Sequence, residues 1–515
     1  MYCLLLYHSR AIKCFTYISL VMKLPEKIIL DKLIAQFHAN KVLREIYHVF
    51  DTGKGYDDMT KNSVSFILHM LASRNDREIR NNKVELISTR DSVADYRFKF
   101  LKVRNFRGLS VGPKNQYLGI DFRGIDPKNF PSMIMLGHNG CGKTSFYNAI
   151  EYTFTDNISA AVKHGYDLST ARDQRYLNYA FSKDPYSVKI DTLSGTYEIP
   201  TNVTGGPLME YGIHLDPFFC SEADLILYEI ENNRSVSQYI LIQIGAIRLS
   251  DLISLLKASL SDLELVLRKL LAPNSKLDNE STLEDPYKSL KGQDPLEMTE
   301  VFNDLMQIIA PLETEVQLLK NEVYQEIHGM LVTLLDGVNF WDKEIEEGFA
   351  QKQPDSEIVD GIFINKYCIP LDFRSYLNNF RYKFLTISLN VAIAFYYMQK
   401  CSICFPIVLD DVFNASDFRH RNSGVRDYIK TVFDIYYKKF PNWPQLSLIL
   451  FTQDEVVAEA AFKGICDANR LNSSANKVML CKMFEQNKVS KDADCVASGG
   501  EILFYKLYDV IKHNY

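Results

Sequence analysis

The run Gly137-His138-Asn139-Gly140-Cys141-Gly142-Lys143-Thr144 fits the pattern G-x-x-x-x-G-K-[ST] without a mismatch. The chemistry open to such a segment is polyphosphate binding. Its glycines let backbone N–H groups turn inward around phosphate oxygens, where a Cβ would obstruct. Lys143 offers a point charge to β- and γ-phosphates, and the Thr144 hydroxyl offers a ligand to Mg²⁺. Ser145 continues the cradle into a helix whose positive end points at the anion.

A second set of groups lies more than two hundred residues further on. Phe405 to Leu409 reads as a buried strand ending in Asp410-Asp411. Asp410 at the strand tip is placed to hold the Mg²⁺ water shell, and Asp411 to polarise an attacking water as general base. Alone, an Asp pair could equally begin a turn. Joined to the loop at 137–144, it reads as catalytic. Asp417 follows six residues beyond Asp411. A third strand, Leu448 to Phe451, ends in Thr452-Gln453-Asp454. Ligands gather at the carboxyl ends of parallel strands, so this polar tip is expected to face the same nucleotide.

These groups meet only if the intervening elements fold correctly. Met133 to Leu136 is a continuous apolar run, as expected of a strand buried on both faces. With the glycine loop and a helix from Ser145 to Thr153, it supplies the order strand, loop, helix that a phosphate site needs. Phe98 to Val103 and Tyr117 to Phe122 read as strands flanking a turn at Asn105-Phe106-Arg107-Gly108. Residues 24–90 are read as a helical appendage. Residues 246–272 and 297–336 read as two helices, the first with Leu252, Leu255, Leu256, Leu260 and Leu263 at helical spacing. At 1.5 Å per residue the first reaches about 40 Å, so a short hairpin is expected rather than a long coiled-coil arm. From 371 to 460 the α/β pattern returns. The expected division is 1–22 tail or upstream extension, 23–95 helical appendage, 96–245 N-terminal lobe, 246–370 helical insertion and 371–515 C-terminal lobe.

The 515 residues suffice for more than one compact unit, and 47% hydrophobic with 24% charged residues is ordinary for a soluble protein. A net charge of −6 supplies no global basic field, so nucleic acid would need a local basic patch. Ten scattered cysteines suit a reducing cytoplasm. Cys401 and Cys404 have metal-ligand spacing, but one pair does not complete a tetrahedral zinc site. The first 21 residues are apolar yet interrupted by His8, Arg10 and Lys13, which argues against a spanning helix, and no membrane association is expected.

The motifs resemble those of the ABC-type ATPases of the SMC and RecF group. Phe100 to Gly108 is similar to the opening strand and turn of those heads, and Thr144 to Tyr152 to their loop-following helix. Leu409-Asp410-Asp411-Val412-Phe413 is similar to their Walker B strand, and Ala415-Ser416-Asp417 to their D-loop. Phe218 to Asp224 lies where the group has its Q-loop but holds no glutamine. Leu377-Asn378-Asn379-Phe380-Arg381 resembles a signature variant seen in SMC-like ATPases of bacterial anti-phage defence. Asn378 would then donate to the γ-phosphate across a dimer, although Asn is also an ordinary helix cap. Gln453 stands where the group has a switch histidine; it can hydrogen-bond a phosphate but cannot carry charge.

The fold implied is α/β: a P-loop ABC-type head with a mixed sheet flanked by helices, a short inserted helical hairpin and a helical N-terminal appendage. The function implied is Mg²⁺-dependent ATP binding and hydrolysis driving head-to-head dimerisation, in anti-phage defence or DNA surveillance. A RecF-like repair ATPase and a non-hydrolysing, ATP-clamped sensor are the alternatives. A transporter subunit is disfavoured because no Ser-Gly-Gly-Gln signature is present. The partners implied are a second copy, a nuclease effector subunit and DNA at a basic patch.

Overall fold

The computed structural model describes residues 24–73, 93–109, 117–123, 131–166, 168, 173–178, 185–199, 215–221, 247–271, 287–337, 362–364, 367–369, 379–413, 420–471, 478–483 and 505–506. Asn378 and Asp417 lie outside them, as do residues 222–224 of the Q-loop region and the segment 1–23.

The chain opens with helices α1 (Leu24–Gln36), α2 (Lys41–Thr52), α3 (Tyr56–Thr60) and α4 (Ser63–Ala72). Asn40 and Asn62 cap α2 and α4, each side chain accepting from a backbone N–H three residues on. The strands that follow are β1 (Ala94–Asp95), β2 (Phe98–Arg104), β3 (Leu118–Asp121) and β4 (Ser132–Gly137). Helices α5 (Lys143–Thr155) and α6 (Ser159–Lys163) come next, then β5 (Ser187–Thr192), β6 (Thr196–Ile199) and β7 (Phe219–Ser221). Two long helices, α7 (Ile247–Leu271) and α8 (Pro295–Asp336), precede β8 (Ile362–Ile364) and β9 (Tyr367–Ile369). The C-terminal part supplies α9 (Asn379–Cys401), β10 (Ile403–Cys404), β11 (Ile407–Asp410), α10 (Val425–Lys439), β12 (Leu448–Thr452), α11 (Glu455–Leu471), β13 (Val478–Met483) and β14 (Tyr505–Lys506).

The central sheet has the order β14-β13-β4-β12-β11-β7, parallel throughout except for antiparallel β14 at its edge. Strands β4, β11 and β12 are buried along their whole length, which explains their unbroken apolar runs. A second, antiparallel sheet has the order β3-β2-β5-β6. Strand β5 alternates inward and outward residues, with Val188, Ile190 and Thr192 buried, as a one-sided sheet requires. Phe405, fully buried, sits where the two sheets meet. Its ring lies 4.9 Å from Phe154, 5.2 Å from Phe218 and 5.6 Å from Phe98.

The helical segments pack differently from the expected separate appendage and hairpin. Helices α1 to α4, α7 and the first half of α8 share one core, which includes Leu33, Ile46, Phe50, Leu256, Leu305 and Leu312. Helix α8, 42 residues long, spans about 63 Å at 1.5 Å per residue. Its second half leaves that core, and Val323, Ile327, Leu331 and Leu334 enter the core of the sheets beside α9 and α10. Glu322 and Glu326 pair with Lys400 at the end of α9, and Glu326 also with Lys439 of α10. One continuous helix thus belongs to both bodies. Among the described residues no helix is long and apolar enough to cross a membrane.

Truncating Phe405 to Ala is expected to cost about 3–5 kcal/mol of stability, because aromatic rings from both sheets would face the cavity. Chemical denaturation of the variant against the natural protein checks this.

Candidate nucleotide-binding site

Strand β4 carries the chain to one edge of the central sheet, and there it turns into the glycine loop. Gly140 and Gly142 adopt φ of +87° and +100°, conformations that L-residues with a Cβ enter only with strain. Gly142 is the residue before α5 and caps it without a side-chain hydrogen bond, so the first N–H groups of that helix remain directed at the loop. His138, Asn139 and Gly140 are exposed, while Gly137 and Cys141 are buried. Lys143 is buried, and its Nζ donates to the carbonyl oxygens of Gly137 at 2.7 Å and His138 at 3.1 Å. The ammonium is therefore folded into the concavity of its own loop. Thr144 is exposed, and Ser145 Oγ accepts a hydrogen bond from the Gly108 N–H at 3.2 Å.

Asp410 ends β11 at the same edge and is buried. Asp411 follows with φ +52°. Its N–H donates to the Phe451 carbonyl at 2.9 Å, and its Oδ1 accepts from the Gln453 N–H at 3.1 Å. The tip of β12 thereby holds both ends of Asp411. It is the backbone of Gln453 that makes this contact, while its side chain is exposed. Asp454 instead caps α11, accepting from the Val456 N–H at 2.9 Å.

One strand, β12, separates β4 from β11, so the loop and the carboxylates stand roughly 10 Å apart at about 4.8 Å per strand. Burial pushes the Cys141 thiol up, the Lys143 ammonium draws it down, and the Asp411 carboxylate adds to the rise. Cys141 thus feels both halves of the site. A threonine hydroxyl and a buried carboxylate are hard oxygen donors, a set that fits Mg²⁺.

Arg107 joins the site, although the sequence reading treated residues 105–108 only as a turn. It has φ +51°, and its guanidinium lies 4.4 Å from the ring centre of Tyr176. Burial lowers its pKa, opposed by Tyr176, Glu151 and Asp410, so its charge reaches the carboxylate at the tip of β11. Its Nη1 is buried without a hydrogen-bond partner among the described residues. The available signal was a cation on the turn that directly follows β2.

Residues 101–347 match the family described as AAA domain. That stretch, just under half of the chain, is similar to an AAA domain. The fold is α/β, with the phosphate loop and the paired aspartates at the ends of parallel strands of one sheet. The match ends before β11, which the sheet joins to the matched part. Among solved structures, the chain is similar to an Smc head with an extended coiled coil bound to the C-terminal domain of ScpA, from Pyrococcus furiosus. Identity is 12%, coverage 81% of this chain and 98% of that one, and the TM-score 0.35. It is similar to RecF bound to ATPrS in the RecFOR pathway, at 11% identity, 80% and 99% coverage and TM-score 0.36. An SMC head from Thermotoga maritima gives 10% identity, 80% and 98% coverage and TM-score 0.30. At such scores the superpositions are loose and carry no residue-level correspondence. No curated protein matches the chain.

Placing a Cβ at position 142 by Gly142→Ala is expected to destabilise the nucleotide-free protein by at least about 1 kcal/mol, from backbone strain alone. Thermal unfolding without ligand measures it.

Proposed function

We propose that the chain binds and hydrolyses ATP with Mg²⁺ and that nucleotide closes two copies head to head. The observation that supports this most directly is the shared edge of the central sheet. The phosphate loop ends β4 there, Asp410-Asp411 end β11, and the β12 tip between them holds Asp411 in place.

In this reading, backbone N–H groups of residues 137–145 receive the phosphates. Lys143 exchanges its loop carbonyls for β- and γ-phosphate oxygens, and Arg107 adds a second positive charge. Thr144 and Asp410 would hold Mg²⁺, which when bound neutralises phosphate charge. Asp411 accepts a proton from the attacking water. The water oxygen bonds to the γ-phosphorus, the bond to the β–γ bridging oxygen breaks, and ADP leaves with that electron pair. Gln453 positions Asp411 through its backbone and offers an uncharged amide toward the γ-phosphate. Asn378 would donate to the γ-phosphate of the opposing copy, with Asp417 at the same junction. Such closure would act on the helical body through α8, which packs on α9 and pairs with Lys400 at its C-terminal end. Anti-phage defence with a nuclease partner, or DNA surveillance through a local basic patch, is the physiological role that the signature variant favours. A RecF-like repair ATPase would share every residue named here and differ only in partner.

A second reading, an ATP-held clamp with negligible turnover, draws on one feature. Gln453 stands at the β12 tip where a titratable side chain would otherwise serve. Phosphate release and nucleotide binding separate the two. Asp411→Ala is expected to lose about 10²-fold or more in turnover while keeping ATP affinity, and Lys143→Ala to lose binding. Equal, near-zero rates in the natural protein and Asp411→Ala, with binding intact, would favour the clamp.

Light scattering tests closure. ATP is expected to double the mass of Asp411→Ala, and Asn378→Ala in that background to remove the effect.

A further inference from the structure

Helix α5 touches strands of both sheets, yet one of its buried faces is polar where apolar side chains would be expected. Thr144, Asn148, Glu151 and Thr155 recur at steps of four, three and four, so they share that face. Thr144, beside the phosphate loop, is exposed, whereas the other three are buried, Glu151 with 3% of its surface in solvent. A carboxylate at that depth is costly unless its charge is matched. Its Oε1 accepts from the Ser159 N–H at 3.1 Å and from the Ser159 hydroxyl at 2.6 Å. These donors fix the side chain in place, but neither carries charge.

The cation that answers Glu151 is Arg107. Burial lowers the Arg107 pKa, and Tyr176, Glu151 and Asp410 each counter that effect. The Glu151 charge also reaches Tyr176, whose ring centre lies 4.4 Å from the guanidinium. Backbone contacts hold the arginine turn against the same helix. The Gly108 N–H donates to Ser145 Oγ at 3.2 Å, and the Arg107 N–H to the Leu177 carbonyl at 2.8 Å, in the 3-10 turn Asp173–Leu177 that carries Tyr176. Helix α5 in turn packs on β11, the strand that ends in Asp410. One guanidinium thus serves two buried carboxylates. Asp410 stands at the nucleotide edge, and Glu151 lies about 10 Å further along α5 than Thr144.

We infer that Glu151 is a positioning residue, which holds Arg107 as its own counter-ion and so leaves Asp410 available to Mg²⁺. The inference rests on the reading above in which Thr144 and Asp410 hold the metal. A guanidinium whose one carboxylate neighbour is Asp410 competes with the cation for it. With Glu151 anchored on Ser159, Arg107 keeps a matched charge when a divalent cation arrives at the tip of β11. The Glu151 carboxylate needs no contact with nucleotide or metal for this; it acts through Arg107. Groups that act through a metal-site residue in this way typically change metal affinity by about 10- to 100-fold when they are lost.

Thermal unfolding of the full chain at fixed ATP, titrated with MgCl₂, reads the metal without turnover. The natural protein, Glu151→Gln, Arg107→Gln and the double variant are compared. Glu151→Gln is expected to need about tenfold more Mg²⁺, or beyond, for half of the ATP-dependent rise in Tm. The double variant is expected to need no more than Arg107→Gln alone, since no guanidinium remains to compete. A natural Mg²⁺ requirement in Glu151→Gln would overturn the inference. So would a double variant as impaired as Glu151→Gln, which would mark Glu151 as a support of the helix. If Glu151→Gln does not fold, the double variant decides. It is expected to fold with the Mg²⁺ requirement of Arg107→Gln, and its failure to fold would overturn the inference. ATP that raises the natural protein's Tm equally with and without Mg²⁺ would overturn the metal reading itself, and ATP without effect at any Mg²⁺ would overturn the nucleotide site.

Discussion

The parallel pairing of β4, β12 and β11 is the constraint on which the site depends. Asp410 lies level with Phe451, and Phe451 level with Met135. The glycine loop therefore begins two residues beyond the level of Asp410, on the same side of the sheet. A parallel strand reaches its neighbour only through a crossover, so segments far apart in the chain end at one edge. A slip of one residue in β11 would turn Asp410 to the other face of the sheet. Asp411 adds a local tie, because its amide and its carboxylate both bond to the β12 tip.

A second consequence lies in α8. The helix places one half among the N-terminal helices and the other against α9 and α10. The residues at the changeover are charged: Glu322 and Glu326 meet Lys400 and Lys439 there. The 42-residue helix has a proline, Pro311, in its interior, within the half that packs among the N-terminal helices. Through α8 the helical body and the sheets are joined by one element. That body is itself knitted together across the sequence. Asn40 donates to the Asp304 carbonyl at 2.8 Å, and the Asp304 side chain accepts from the Lys41 N–H at 3.1 Å.

The loop and the strands at its base were legible because their signals are local. Apolar runs of residues 133–136 and 405–409, a glycine-rich turn and a following helix need no knowledge of the rest of the chain. The merging of residues 24–72 with α7 and the first half of α8 was not legible, since amphipathic periodicity marks a buried face and not what covers it. Strand β5 was missed although Ser187 to Thr192 alternates cleanly. Strand β13 was missed because Val478 to Met483 is short and stands between polar stretches; its place beside β4 is set by pairing. Arg107, Tyr176 and Glu151 were missed for the same reason. Each is an ordinary turn or helix residue in sequence, and only the fold brings them together.

The most direct measurement of the central claim is a crystal structure of Asp411→Ala with Mg²⁺ and ATP. The account predicts triphosphate density in the cradle of residues 137–145, Lys143 turned from its loop carbonyls to the phosphates, and one cation between Thr144 and Asp410. Nucleotide bound elsewhere, or a cation at the triphosphate out of reach of Asp410 even through water, would contradict it.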